Sequence, residues 1–127
     1  MEYISALVFP FFLLLIEKFL PYPYIIEELF KFFLAKKSDT TKTAIILGVL
    51  FSFSEAIFYV FNPSYSIISN PISLAVRFLI VTPLHVTTIL IMYYFSKVIQ
   101  VRHNKNLWPI GIILAILIHY IFNLQSF

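Results

Sequence analysis

Glu27, Glu28, Glu55, His85 and His119 are acidic or imidazole residues set in stretches that are otherwise apolar. An ionisable side chain in hydrocarbon costs at least ~2.5–3.5 kcal/mol, so such groups tend to line a site, pair with one another or pass protons. Carboxylates and imidazoles brought together can activate water, move a proton in either direction or hold a metal ion. Their neighbours sharpen this. Lys31 falls four residues after Glu27 and three after Glu28, within pairing reach on a helix. Asn123 follows His119 by four and shares its face. Gly48, Ser52 and Glu55 form one stripe whose small residues let a neighbouring helix approach closely. Thr82 and Thr88 flank His85.

The elements that must carry these residues are membrane helices. The chain has 127 residues, is 61% hydrophobic and only 12% charged, against about 25% charged in a soluble domain. Mean hydropathy is +0.93. Composition therefore predicts an all-α integral membrane bundle, one domain over residues 1–127, in contact with the lipid bilayer. The net charge of +3 comes from lysines and arginine grouped in loops, which points to membrane orientation and away from nucleic acid. Cysteine is absent, so disulfides and thiolate metal sites are excluded. The first apolar stretch lacks a basic leader and reads as a retained helix rather than a signal peptide.

A spanning helix needs about 20 mainly apolar residues. About five helices are expected, four clear spans and a shorter one carrying the two glutamates. The first is Tyr3–Leu20, stopped by Pro21 and Pro23. The short Glu-Glu helix is Tyr24–Lys37, followed by a polar loop, Ser38–Lys42. Thr43–Phe61 is the third, with an uncharged turn-rich loop, Asn62–Pro71, after it. Ile72–Ser96 is the fourth, with a kink expected near Pro83. A charged loop, Lys97–Asn106, holds His103, which reads as solvated. Leu107–Leu124 is the fifth, with Pro109 in its first turn.

Lys36, Lys37 and Lys42 mark one loop and Lys97, Arg102 and Lys105 another, so both are expected in the cytoplasm. The N-terminus is then cytoplasmic and the C-terminus outside. Counted from the basic ends at about 1.5 Å per residue, Glu28, Glu55, His85 and His119 all lie roughly 13–18 Å in. That shared level, near the middle of a ~30 Å hydrocarbon core, argues for one site. Each motif also has a plainer reading. Glu27–Phe33 could be a solvated helix start, Gly48–Glu55 a packing stripe whose acid bonds Ser52, and the two histidines interhelical clamps.

Taken in order, Glu27-Glu28-x-x-Lys31, Gly48-x-x-Phe51-Ser52-x-x-Glu55, His85 in TPLHVTT and His119-x-x-Phe122-Asn123 resemble the motifs of PrsW-type intramembrane proteases. That family is grouped with the CAAX prenyl endopeptidases and bacteriocin-immunity proteins. The similarity runs from about residue 24 to 123 and departs at Ala56, where many relatives carry Asn. It implies a helical membrane fold, hydrolysis of membrane protein or peptide substrates, and a reactive set of Glu27 or Glu28, His85, His119 and Asn123.

Two chemistries fit these residues. In one, Glu55, His85 and His119 hold a zinc ion as a two-His, one-Glu set, with Glu27 or Glu28 as base. In the other no metal is needed: a glutamate and His85 activate water, while His119 and Asn123 form the oxyanion hole. Two other classes stay open: a non-catalytic scaffold or immunity-type binding protein, and a proton or ion pathway, whose groups should form a ladder across the membrane.

Overall fold

A computed structural model describes residues 1–17, 19–61, 71–103 and 106–125. Among them are five helices and no strand: α1 (Glu2–Glu17), α2 (Pro23–Lys37), α3 (Thr41–Phe61), α4 (Pro71–Tyr93) and α5 (Trp108–Leu124). The end of α4 runs on as a π-helical segment, Tyr94–Ile99, and a last turn, Gln100–His103. The expected loop Asn62–Pro71 lies outside the described residues except for Pro71, which opens α4.

The element boundaries have local causes. Pro23 does not precede α2 but starts it, because proline's fixed φ suits the first helical position and its missing N–H is not needed there. The polar loop is shorter than expected: Thr40 Oγ1 accepts a hydrogen bond from the Thr43 amide at 3.1 Å, an N-cap that starts α3 at Thr41. Ser38 closes α2 by donating its hydroxyl to the Leu34 carbonyl at 3.0 Å. The expected loop from Lys97 also begins as helix, since the π-segment carries the chain to His103 before it turns. The helical assignment runs unbroken past Pro83, and the departure from α-geometry falls a few turns later, at Tyr94. There Gly111 of α5 lies so close that a Cβ on it would sit 2.8 Å from the Phe95 Cβ.

The helices alternate in direction. Tyr24 at the start of α2 meets Tyr120 late in α5, and Phe32 further along α2 meets Trp108 at the start of α5. In the same way Gly48 abuts Val86 and Phe53 meets Phe78, so α3 and α4 are antiparallel. Ser54 bonds the Leu7 carbonyl and Phe58 packs on Phe11, so α1 and α3 are parallel. The segments bearing Lys36, Lys37, Lys42, Lys97 and Arg102 therefore share one end of the bundle; Lys105 lies outside the described residues.

Two layers fill the interior. Near the basic end the core is apolar: Leu34, Ala35, Ala44, Leu47, Ile89, Met92, Ile112 and Ala115 are buried together. Toward the other end buried charge replaces it. The outer faces are apolar and exposed, for example Phe12, Leu15, Leu79, Ile113 and Leu117. Two stretches are long and apolar enough to cross a membrane by length and composition, Thr41–Phe58 and Leu74–Ile99. The other two expected spans are shorter: α1 stops at Glu17 ahead of Pro21, and α5 has 17 residues.

Candidate functional site

α3 brings Glu55 to α4 because Gly48, two turns earlier, has no side chain. A Cβ there would lie 2.7 Å from the Val86 Cα, so the two backbones touch. With the helices that close, Glu55 Oε2 sits 2.5 Å from His85 Nε2. An ionised carboxylate can only accept, so His85 donates Nε2–H. Its other nitrogen, Nδ1, faces Glu27 Oε1 at 3.3 Å and makes no hydrogen bond.

The other half of the site is built by α2 and α5. His119 Nδ1 donates to Glu28 Oε1 at 2.6 Å and lies 3.9 Å from Glu27 Oε1. Lys31 Nζ joins the pair, 2.6 Å from Glu27 Oε1 and 2.7 Å from Glu28 Oε1. Its ammonium also lies over the Phe51 ring, 4.9 Å from the centroid. The two imidazoles stand edge to face with centroids 6.0 Å apart. Five of the expected residues thus meet in one cluster, with Glu27 at its centre. Lys31 and Glu28 are 0% exposed and His85 1%. Burying that much charge is tolerable only because each group is paired.

Asn123, the sixth, is on an exposed position of the last turn of α5, one turn beyond His119. Several neighbours take other roles than expected. The Ser52 hydroxyl is buried without a hydrogen-bond partner among the described residues, so it does not hold Glu55. Thr82 and Thr88 bond back to the carbonyls of Phe78 and His85 in their own helix.

Arg77 was missed by the sequence reading. Its Nη2 is 3.8 Å from Glu55 Oε1, on the oxygen that His85 does not use. An arginine eight residues before His85 is itself a charge set in an apolar segment, and that is the available signal. Side-chain exposure rises from 0% at Lys31 through 19% at Glu55 to 31% at Arg77, so the cluster opens on that side.

The cluster is also off-centre. Glu28 is five residues from the start of α2, and His119 five from the end of α5, about 7–8 Å in each case. From the basic end Glu28 is about 13 Å deep, as expected, but α2 is only 15 residues long. The same depth is not the middle of so short a helix.

The expected metal set changes as well. Donor atoms fall into two mutually close groups, Glu27–Glu55–His85 and Glu27–Glu28–His119. Glu55 and His119 belong to different groups because His119 turns its Nδ1 to Glu28. Glu27, expected only as a possible base, is shared by both. Comparison with protein-family models, curated proteins and solved structures finds no match. What the site can do is therefore argued from its own atoms.

Proposed function

We propose that the chain is a multi-pass intramembrane protease that hydrolyses peptide bonds of membrane-associated protein or peptide substrates. The apolar outer faces support the membrane part, since soluble monomers rarely expose large contiguous apolar patches. With the basic segments in the cytoplasm, α1 begins there, α5 ends outside, and the cluster opens toward the outer face.

The observation that carries the hydrolytic reading is His85 held between two carboxylates. Glu55 fixes Nε2–H, which leaves Nδ1 facing Glu27. Water bound beside Nδ1 and Glu27 gives its proton to Glu27 as its oxygen adds to the substrate carbonyl. The proton then passes to the amide nitrogen as the C–N bond breaks. His119, held as the imidazolium with Nδ1–H on Glu28, donates Nε2–H to the oxyanion, and Asn123 beyond it adds a second donor. Glu28 and Glu55 are thus positioning residues, and Glu27 is the base. Lys31 balances the charge of Glu27 and Glu28. A zinc ion, if present, would be held by Glu27, Glu55 and His85, whose ligand atoms lie within 4.8 Å of one another, and would supply Lewis-acid activation of the water.

A second reading, a non-catalytic scaffold or immunity-type binding protein, draws on the internal pairing of nearly all the cluster's charge. An ion pathway is disfavoured because the cluster runs across the bundle rather than along it.

The test co-reconstitutes the protein with candidate membrane proteins and reads new peptide termini by mass spectrometry. Wild type should generate them, and Glu27→Gln or His85→Ala should lower the rate by about 10²–10⁴-fold. Wild type without product, or Glu27→Gln with undiminished product, would remove the protease reading. Single cysteines replacing Asp39 and Gln125 should be labelled by an impermeant reagent from opposite faces. Labelling of both from one face would overturn the orientation.

A further inference from the structure

Glu27, Glu28 and His119 form a donor set of two carboxylates and an imidazole, all three buried, with ligand atoms within 4.8 Å of one another. Such a set suits a divalent cation. Glu28 Oε2 is a further buried donor that makes no hydrogen bond. The place between the two carboxylates is taken by the chain's own cation: Lys31 Nζ approaches Oε1 of Glu27 and Oε1 of Glu28 almost equally, at 2.6 and 2.7 Å.

We propose that the Lys31 ammonium is the built-in occupant of this second cation position and keeps a divalent ion out of the Glu27–Glu28–His119 set. A zinc ion bound to both Oε1 atoms would need them about 2.0–2.2 Å away. It would fall essentially where Nζ now sits, and the two oxygens cannot serve both. The positive charge beside the position would also repel a divalent ion. The ammonium is held from all sides, by two carboxylates and by the face of Phe51, and is 0% exposed. A lysine so placed cannot swing out to water without opening the bundle.

The consequence is a division of labour between the histidines. Any metal the protein takes is left the Glu27–Glu55–His85 set, in which only Glu27 is shared with Lys31. His119 keeps its Nδ1 proton on Glu28 and works as a hydrogen-bonding group rather than a ligand. The inference extends the metal option of the proposed function but does not need wild type to bind metal, because it concerns the difference that one ammonium makes.

The test counts bound ions per chain on the purified full-length protein, stripped with chelator and equilibrated with Zn2+ or Mn2+ alone. Lys31→Met is expected to bind one more divalent ion than wild type, and Lys31→Arg, which keeps the charge, no more than wild type. Adding Glu28→Gln to Lys31→Met should abolish the gain. Lys31→Gln, a neutral but hydrogen-bonding replacement, carries the same expectation should the methionine variant fail to fold. Equal counts in wild type and the folded neutral variants would overturn the proposal. A wild type that binds no ion, beside a neutral variant that binds one, would end the metal option of the protease reading and still support the role given to Lys31.

Discussion

The two ends of this bundle are held together by different physics. Near the basic end, Leu47, Ile89, Met92, Ile112 and Ala115 are buried in one apolar cluster. A turn or two away along the same helices, Glu28, Lys31, His85 and His119 are just as buried and are joined by ion pairs. The apolar end is a sum of many small contacts, so trimming one side chain loses only its share. The charged end is a network of paired charges, in which deleting one member strands another in a medium that cannot solvate it. The bundle thus tolerates change where it is greasy and is brittle where it is polar, and the brittle end holds the candidate chemistry.

The largest expected effect comes from breaking the charged end. With no divalent ion present, Lys31→Met leaves Glu27 and Glu28 side by side without their common cation. It should destabilise the folded bundle by about 3–5 kcal/mol, the usual cost of removing one partner from a buried pair. Unfolding by denaturing detergent or thermal titration in micelles measures it. A loss no larger than that of an apolar truncation would erase the contrast drawn here.

That truncation is Leu47→Ala in the apolar layer, where the side chain is 0% exposed. Leu-to-Ala changes cost about 2–5 kcal/mol in water-soluble cores. In the bilayer proposed above, lipid tails are as apolar as leucine, so van der Waals contact would be lost without a hydrophobic penalty, and the effect should fall at or below about 2 kcal/mol. Cleavage, measured as above, should survive. Loss of cleavage with stability intact would mean that the two ends are coupled.

Much of the site was legible from the chain alone, for a specific reason. Charges in an apolar sequence stand out, and helix rise is constant, so counting residues from the basic loops placed Glu28, Glu55, His85 and His119 at one level. Within the helices themselves that level is off-centre, because α2, opened by Pro23, and α5, which starts after Leu107, are only 15 and 17 residues long. Arg77 is as anomalous in the fourth apolar segment as the acids and imidazoles, but its partner Glu55 lies 22 positions away on another helix, where no local spacing points to it.

By itself the sequence determined that the chain is helical, that it is apolar outside as well as in, and that a handful of ionisable residues must meet. Periodicity and composition are local properties, readable residue by residue. The pairing of Lys31 with Glu27 and Glu28 is local too, and only the tertiary structure decided who pairs across helices: Glu55 with His85, and Glu28 with His119. Those choices depend on how close two helices come and how far each is rotated. For Glu55 and His85 the choice turns on Gly48 lying against Val86, a contact between residues 38 positions apart that no local pattern encodes.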